Sequence, residues 1–173
     1  MSYLILSILV GIIALGFALL LYFDIMKKNV GNEEMKEISK NIEDGAMTFL
    51  FREYKFILIF ILVVAVIIGV AIHYKTAIAF VLGSIFSIIA GFCGMRVAVK
   101  ANVRTAEAAR KGIKEALTIA FSGGSVMGMA VVGFGIIGLA ALMIIFDLDT
   151  EYITGFGLGA SSIACLLYTS RCV

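Results

Sequence analysis

Long apolar runs separated by short charged gaps organise this chain. Residues 3–23 form the first run, 56–72 the second, 77–99 the third and 117–146 the fourth, with 152–168 a candidate fifth. At a rise of about 1.5 Å per residue, about 20 helical residues cross a hydrocarbon core roughly 30 Å thick. The second run is slightly short. The fourth is too long, and its Leu117 end is expected to project beyond the bilayer. The runs are continuously apolar and lack the alternation of a barrel strand. In hydrocarbon every backbone group must find its partner within the segment, so helices are expected. The pattern predicts an all-α, polytopic transmembrane bundle of about five spans, four complete and a fifth truncated or altered.

Composition agrees. Of the 173 residues 62% are hydrophobic and 15% charged, and the mean hydropathy is +1.10. A soluble domain of this size could not hide so much apolar surface in one core. All twelve acids lie in the gaps between runs, and a net charge of +2 without a block of like charge gives no sign of a nucleic-acid partner. No Lys or Arg precedes the first run, which is also too long for a signal peptide and is read as a retained helix. Tyr3, Tyr22, Tyr54, Tyr74, Tyr152 and Tyr168 each fall at the end of a run, where an amphipathic ring suits the membrane–water interface.

The gaps also predict an orientation. The loop 24–55 holds six Lys or Arg and the segment 96–114 six more, against Lys75 alone at 73–76 and none at 147–151. The positive-inside rule then puts both basic loops in the cytoplasm, the N-terminus outside and Arg171 inside. Within the first loop, Gly31-Asn32 precedes Glu33 and Glu34, acids that suit a helix N-terminus. Met35, Ile38, Ile42, Ala46 and Phe49 then recur at helical spacing. That stripe reads as a connector helix packing on its own protein, with a surface-lying amphipathic helix as the alternative.

Small residues predict where helices touch. Gly83, Ser87 and Gly91 lie four apart on the third run, as do Ala90, Gly94 and Ala98; Gly124/Gly128 and Gly155/Gly159 are G-x-x-x-G pairs on the fourth and fifth. The bulkier first two runs are expected at the periphery. The absence of Pro argues against kinked helices.

Several apparent motifs dissolve. Gly133, Gly135 and Gly138 fit G-x-G-x-x-G, but a dinucleotide site needs a strand–turn–helix unit that is missing here. His73 has no second His or paired Cys at metal-ligand spacing. Cys93, Cys165 and Cys172 show no disulfide logic, and Cys93 reads as a small packing residue. Arg96 lies one turn from a basic loop and is expected to snorkel. Asp147, Asp149 and Glu151 read as a solvated loop in preference to a cation site. The residues contain no buried carboxylate pair, activated nucleophile or phosphate cradle.

Two segments carry a resemblance. EISKNIEDGAMTFLFREYK, through Gly45, Ala46, Phe49, Leu50, Tyr54 and Lys55, resembles the first cytoplasmic loop of the membrane-integral, ion-pumping pyrophosphatases. GMRVAVKANVRTAEAARKGIKEALTIAFSGGSVMGMAVVGFGIIGL resembles that family's third and fourth helices with their connector, and GFGLGASSIA the opening of its fifth. The likeness runs from about Tyr3 to Ala164. There CLLYTSRCV takes over, with Tyr168 where the family has an Arg. Residues 1–164 are thus expected to be the N-terminal helices of such a protein, and 165–173 a non-family tail from truncation or frameshift.

The resemblance implies a homodimeric enzyme of the prokaryotic cell membrane. That enzyme hydrolyses magnesium pyrophosphate and exports H⁺ or Na⁺, with Mg²⁺ and in some members K⁺ as cofactors. Its aspartates, lysines and gate residues have no matching positions here, so no catalytic, cofactor-binding or metal residue is assigned and the chain alone is expected to be inactive. The partners implied are the lipid bilayer, the remaining helices of the parent chain and a second subunit; pyrophosphate would bind only to the missing part. Two other readings stay open: a small non-enzymatic membrane protein packing on a partner complex, and part of an unrelated transporter, whose inverted repeats are not seen.

Overall fold

A computed structural model describes residues 2–146 and 150–169. It consists of five helices: α1 (Ser2–Met26), α2 (Glu33–Ala71), α3 (Tyr74–Ala109), α4 (Ile113–Ile145) and α5 (Thr150–Thr169). No strand occurs among the described residues. Four helices are long and apolar enough to cross a membrane, and the apolar part of the fifth, Tyr152–Tyr168, is shorter. This is the expected four-plus-one pattern.

Two helices begin on side-chain caps. Asn32 accepts a hydrogen bond from the Met35 amide at 2.9 Å, just ahead of Glu33 and Glu34 in the first turn of α2. Gly31 takes the left-handed conformation (φ +92°) that lets the chain enter that cap. His73, alone in the sequence, caps α3: its Nδ1 accepts from the Lys75 amide at 3.2 Å.

One expected break is absent. The amphipathic segment of the first loop and the second apolar run form a single 39-residue helix, about 58 Å long. Nothing between Lys55 and Phe56 stops it, since the chain has no Pro and the nearest Gly, Gly45, costs only about 1 kcal/mol in a helix. Of the apolar stripe, Met35 and Ala46 are half-buried within this chain. Leu50, Glu53, Ile57, Ile61 and Ile68 are the buried face of α2. Ile38, Ile42 and Phe49 sit about 80° around the helix from that face and are exposed.

The helices do not pack in chain order. α3 lies along α4, α5 and α2, and α1 lies along α4; α1 and α2 make no contact among the described residues. Three apolar clusters fill the seams. Ala18 and Ile25 of α1 meet Val97 and Ala101 of α3 and Val126 of α4. Ile57, Ile61 and Ile68 of α2 meet Phe80 and Ile163, and Ala79 and Leu142 meet Tyr152 and Phe156. The outward faces of α1 and α2 remain covered in Leu, Ile, Val and Phe. That places both at the periphery, as expected.

Lipid tails are as apolar as leucine, so close packing rather than water exclusion holds such helices together. The tightest seam joins α3 to α5. A Cβ on Gly83 would strike the Phe156 carbonyl, one on Gly159 the Phe80 carbonyl, and one on Gly155 the Thr76 carbonyl at 2.7 Å. Ser87 Oγ donates across the same seam to the Ala160 carbonyl at 3.2 Å. Gly94 meets the Met127 side chain of α4. The Gly124/Gly128 pair meets no neighbour among the described residues, on a side of α4 turned away from α1 and α3.

Candidate functional site

One cleft lies where α3, α4 and α5 converge, a space of about 470 Å³. Its wall is mainly apolar, with Phe86, Met127, Phe134 and Phe156 prominent and Ser87, Ser161 and Tyr168 carrying the hydroxyls. Ser87 is already engaged with the Ala160 carbonyl. A cleft with so few polar groups offers neither a base nor a nucleophile.

The charged groups gather at the end of the bundle where α2 begins and α3 gives way to α4. Lys100 of α3 pairs with Glu43 of α2 at 3.9 Å, Arg110 with Glu107 at 3.4 Å, and Lys28 with Asp24 at 3.2 Å. These are partly exposed pairs of small worth. Arg104 differs, because only 9% of it is exposed. Its Nη1 donates to the Lys100 carbonyl at 2.7 Å, while Nε has no partner. By charge pattern alone Arg104 is one of six basic residues in the segment 96–114. Its spacing from Val97, Ala101 and Ala108, all on the buried face of α3, was the available signal.

Arg96, by contrast, is exposed at the edge of its span and fits the snorkelling reading. The glycines of the false dinucleotide motif point three ways on one helix. Gly133 faces Leu15 and Gly11 of α1, Gly138 faces Phe156 and Phe86, and Gly135 faces open space. Asp147 and Asp149, together with Arg171 and Cys172, lie outside the described residues, as does the side chain of Glu151.

Among the described residues no three His, Cys, Asp or Glu side chains come together to hold a metal. The magnesium implied by the resemblance therefore does not fit the residues present, and no chemical step is derived through it.

Comparison with known proteins gives the arrangement its context. The model of a family described as inorganic H⁺ pyrophosphatase matches residues 12–169. A Clostridium tetani protein, provisionally named a K⁺-stimulated pyrophosphate-energized sodium pump, is 55% identical over 163 residues, covering 94% of this chain and 24% of the relative. A K⁺-insensitive pyrophosphate-energized proton pump of Methanosarcina mazei is 42% identical over 162 residues, 90% of this chain and 23% of the relative. A K⁺-stimulated pyrophosphate-energized sodium pump of Thermotoga maritima is 44% identical over 140 residues, 80% and 19% respectively. The chain spans about a quarter of the length of the first of these relatives.

Proposed function

Because this chain belongs to the inorganic H⁺ pyrophosphatase family, we propose that it is the N-terminal helical scaffold of a membrane pump that hydrolyses inorganic pyrophosphate and exports H⁺ or Na⁺. The observation that carries this reading is the match over residues 12–169 combined with coverage of only 24% of the Clostridium tetani relative. Residues 1–164 supply the scaffold in this reading. Residues 165–173 are the non-family tail in this reading, although the family match runs on to residue 169 and α5 stays helical to Thr169. Pyrophosphate, Mg²⁺, K⁺ where it acts, and the second subunit of a homodimer all belong to the parent protein. The basic loops are placed in the cytoplasm and the N-terminus outside, supported by the charge asymmetry of the loops.

The chain is proposed to hold no chemistry of its own. The described side chains include no carboxylate cluster able to carry magnesium pyrophosphate. The test is a chimera in which residues 1–164 replace the matching segment of the Clostridium tetani relative. Membranes carrying it are expected to release phosphate from magnesium pyrophosphate, while the purified 173-residue chain releases none. A chimera that inserts and folds but is inert would sink the scaffold reading, and hydrolysis by the short chain would sink the inactivity reading.

A further inference from the structure

A second groove, distinct from the α3–α4–α5 cleft, runs between the end of α1 and the start of α4. It encloses about 770 Å³ and is lined by Phe17 and Leu21 on one side and by Lys114, Leu117, Thr118, Phe121, Ser122 and Ser125 on the other. Its apolar wall is not covered by the chain: Phe17 is 47% exposed and Phe121 72%.

The depth of this groove in a membrane follows from helix register. Gly11 abuts Gly133, Leu15 abuts Gly133, and Ala18 shares a buried cluster with Val126. Extending this antiparallel register sets Phe23 level with the Phe121 turn and Lys27 and Lys28 level with the Leu117 turn. The α1 sequence changes from apolar to charged between Phe23 and Asp24. The hydrocarbon boundary therefore falls near Phe121. Above it the groove presents Phe17, Leu21 and Phe121; below it Thr118 lies within the headgroup layer that adds about 5–7 Å on each side of the bilayer, and Lys114, about 10 Å below Phe121, has a stem long enough to bring its ammonium back to that layer.

The charge at that level is basic. Asp24 is paired with Lys28 and Glu107 with Arg110, and the Glu115 carboxylate lies against Gly112. Among the described residues no carboxylate pairs with Lys114, Lys111 or Lys27. The Thr118 and Ser122 hydroxyls donate back to the carbonyls of Lys114 and Thr118 at 2.9 and 2.7 Å. Their protons are thus occupied, and recognition of an anion falls to the lysine.

We propose that this groove is a binding site for an anionic phospholipid of the leaflet at the basic end of the bundle. One acyl chain lies over Phe17, Leu21 and Phe121, and the phosphate faces the Lys114 ammonium. Basic grooves between helices at the membrane surface select anionic headgroups in this way. The proposal needs the chain to be in a bilayer but does not depend on which leaflet is cytoplasmic or on the pumping activity of a parent protein.

The chain contains no Trp, so a single introduced Trp is an unambiguous reporter. Phe121→Trp places it in the groove, and Leu62→Trp, on an α2 position 66% exposed, places a control elsewhere on the lipid-facing surface. Each is reconstituted in phosphatidylcholine bilayers with brominated phosphatidylglycerol or brominated phosphatidylcholine at equal mole fraction. Quenching of the Phe121→Trp chain is expected to favour phosphatidylglycerol about fivefold in apparent affinity, the worth of one basic residue near an anionic headgroup. Adding Lys114→Gln is expected to abolish the preference, and Leu62→Trp to show none. Equal quenching by the two lipids overturns the proposal, as does a preference that survives Lys114→Gln. Weak quenching by both would mean that protein covers the groove, and that also overturns it. If Phe121→Trp fails to fold, Leu117→Trp on the same wall carries the same measurement.

Discussion

Replacing Gly159 by alanine tests the packing of α3 against α5 where it is closest. The added methyl would land on the Phe80 carbonyl with Ser84 Oγ 3.0 Å away. A backbone carbonyl cannot rotate aside, so α5 has to move off α3 by something on the order of 1 Å. A gap of 0.5–1 Å forfeits about a quarter to a half of each van der Waals contact along the seam. The displacement also strains the Ser87–Ala160 hydrogen bond, an interaction worth about 0.6 kcal/mol on average in membranes. Alanine gains about 1 kcal/mol of helix propensity over glycine, which offsets part of the loss. Overpacking of this kind leaves a net destabilisation of about 1–3 kcal/mol. Gly157→Ala, two residues away with nothing within 4 Å, is the matched control. It carries the propensity gain without the clash and is expected to be neutral or stabilising by up to about 1 kcal/mol. Unfolding in mixed micelles titrated with a denaturing detergent, followed by circular dichroism, compares the two. Equal stability of the Gly159 and Gly157 variants would refute the argument that the α3–α5 seam is a backbone contact.

Other outcomes follow from single residues. Asn32→Ala removes the cap of α2 and is expected to cost about 1 kcal/mol, while Gly31→Ala, forced into φ +92° and against Met35 Sδ, should cost about 1–2 kcal/mol by the same assay. Arg104→Met keeps the volume of a buried side chain with an unmatched Nε and is expected to be neutral or stabilising; Arg104→Ala leaves a void and should cost about 1–3 kcal/mol. A stabilising Arg104→Ala would show that the guanidinium stem does not pack. For orientation, a membrane-impermeant maleimide applied outside intact cells should label Lys75→Cys and leave Lys111→Cys unlabelled, and the reverse pattern would invert the proposed topology.

The spans were legible because charge and hydropathy change together at their ends, and so was the α3–α5 seam, since Gly83, Gly155 and Gly159 stand at the spacing that brings backbones together. Gly124 and Gly128 have the same spacing and meet no neighbour among the described residues. Spacing reports which residues share a face of one helix, and it cannot report which neighbour that face meets. The unbroken α2 was missed for a related reason: Arg52, Glu53 and Lys55 interrupt an apolar run without interrupting a helix, because straight-chain charged residues are good helix formers. Arg104 was hidden among five other basic residues of its segment, although its place on the buried face of α3 was encoded by Val97 and Ala101.

The packing of α1 on α4 rather than on its neighbour α2 also has a consequence for how the bundle is made. The first helix ends at Met26 and its partner begins at Ile113. At roughly 5–20 residues per second of synthesis, α1 spends on the order of ten seconds in lipid before that partner emerges. The opening hairpin is therefore not an assembly unit. Its first helix must be stable in the bilayer as an isolated span, which its unbroken apolar surface allows. The α2–α3 seam can close first, α1 waits until α4 is made, and the α3–α5 seam closes last.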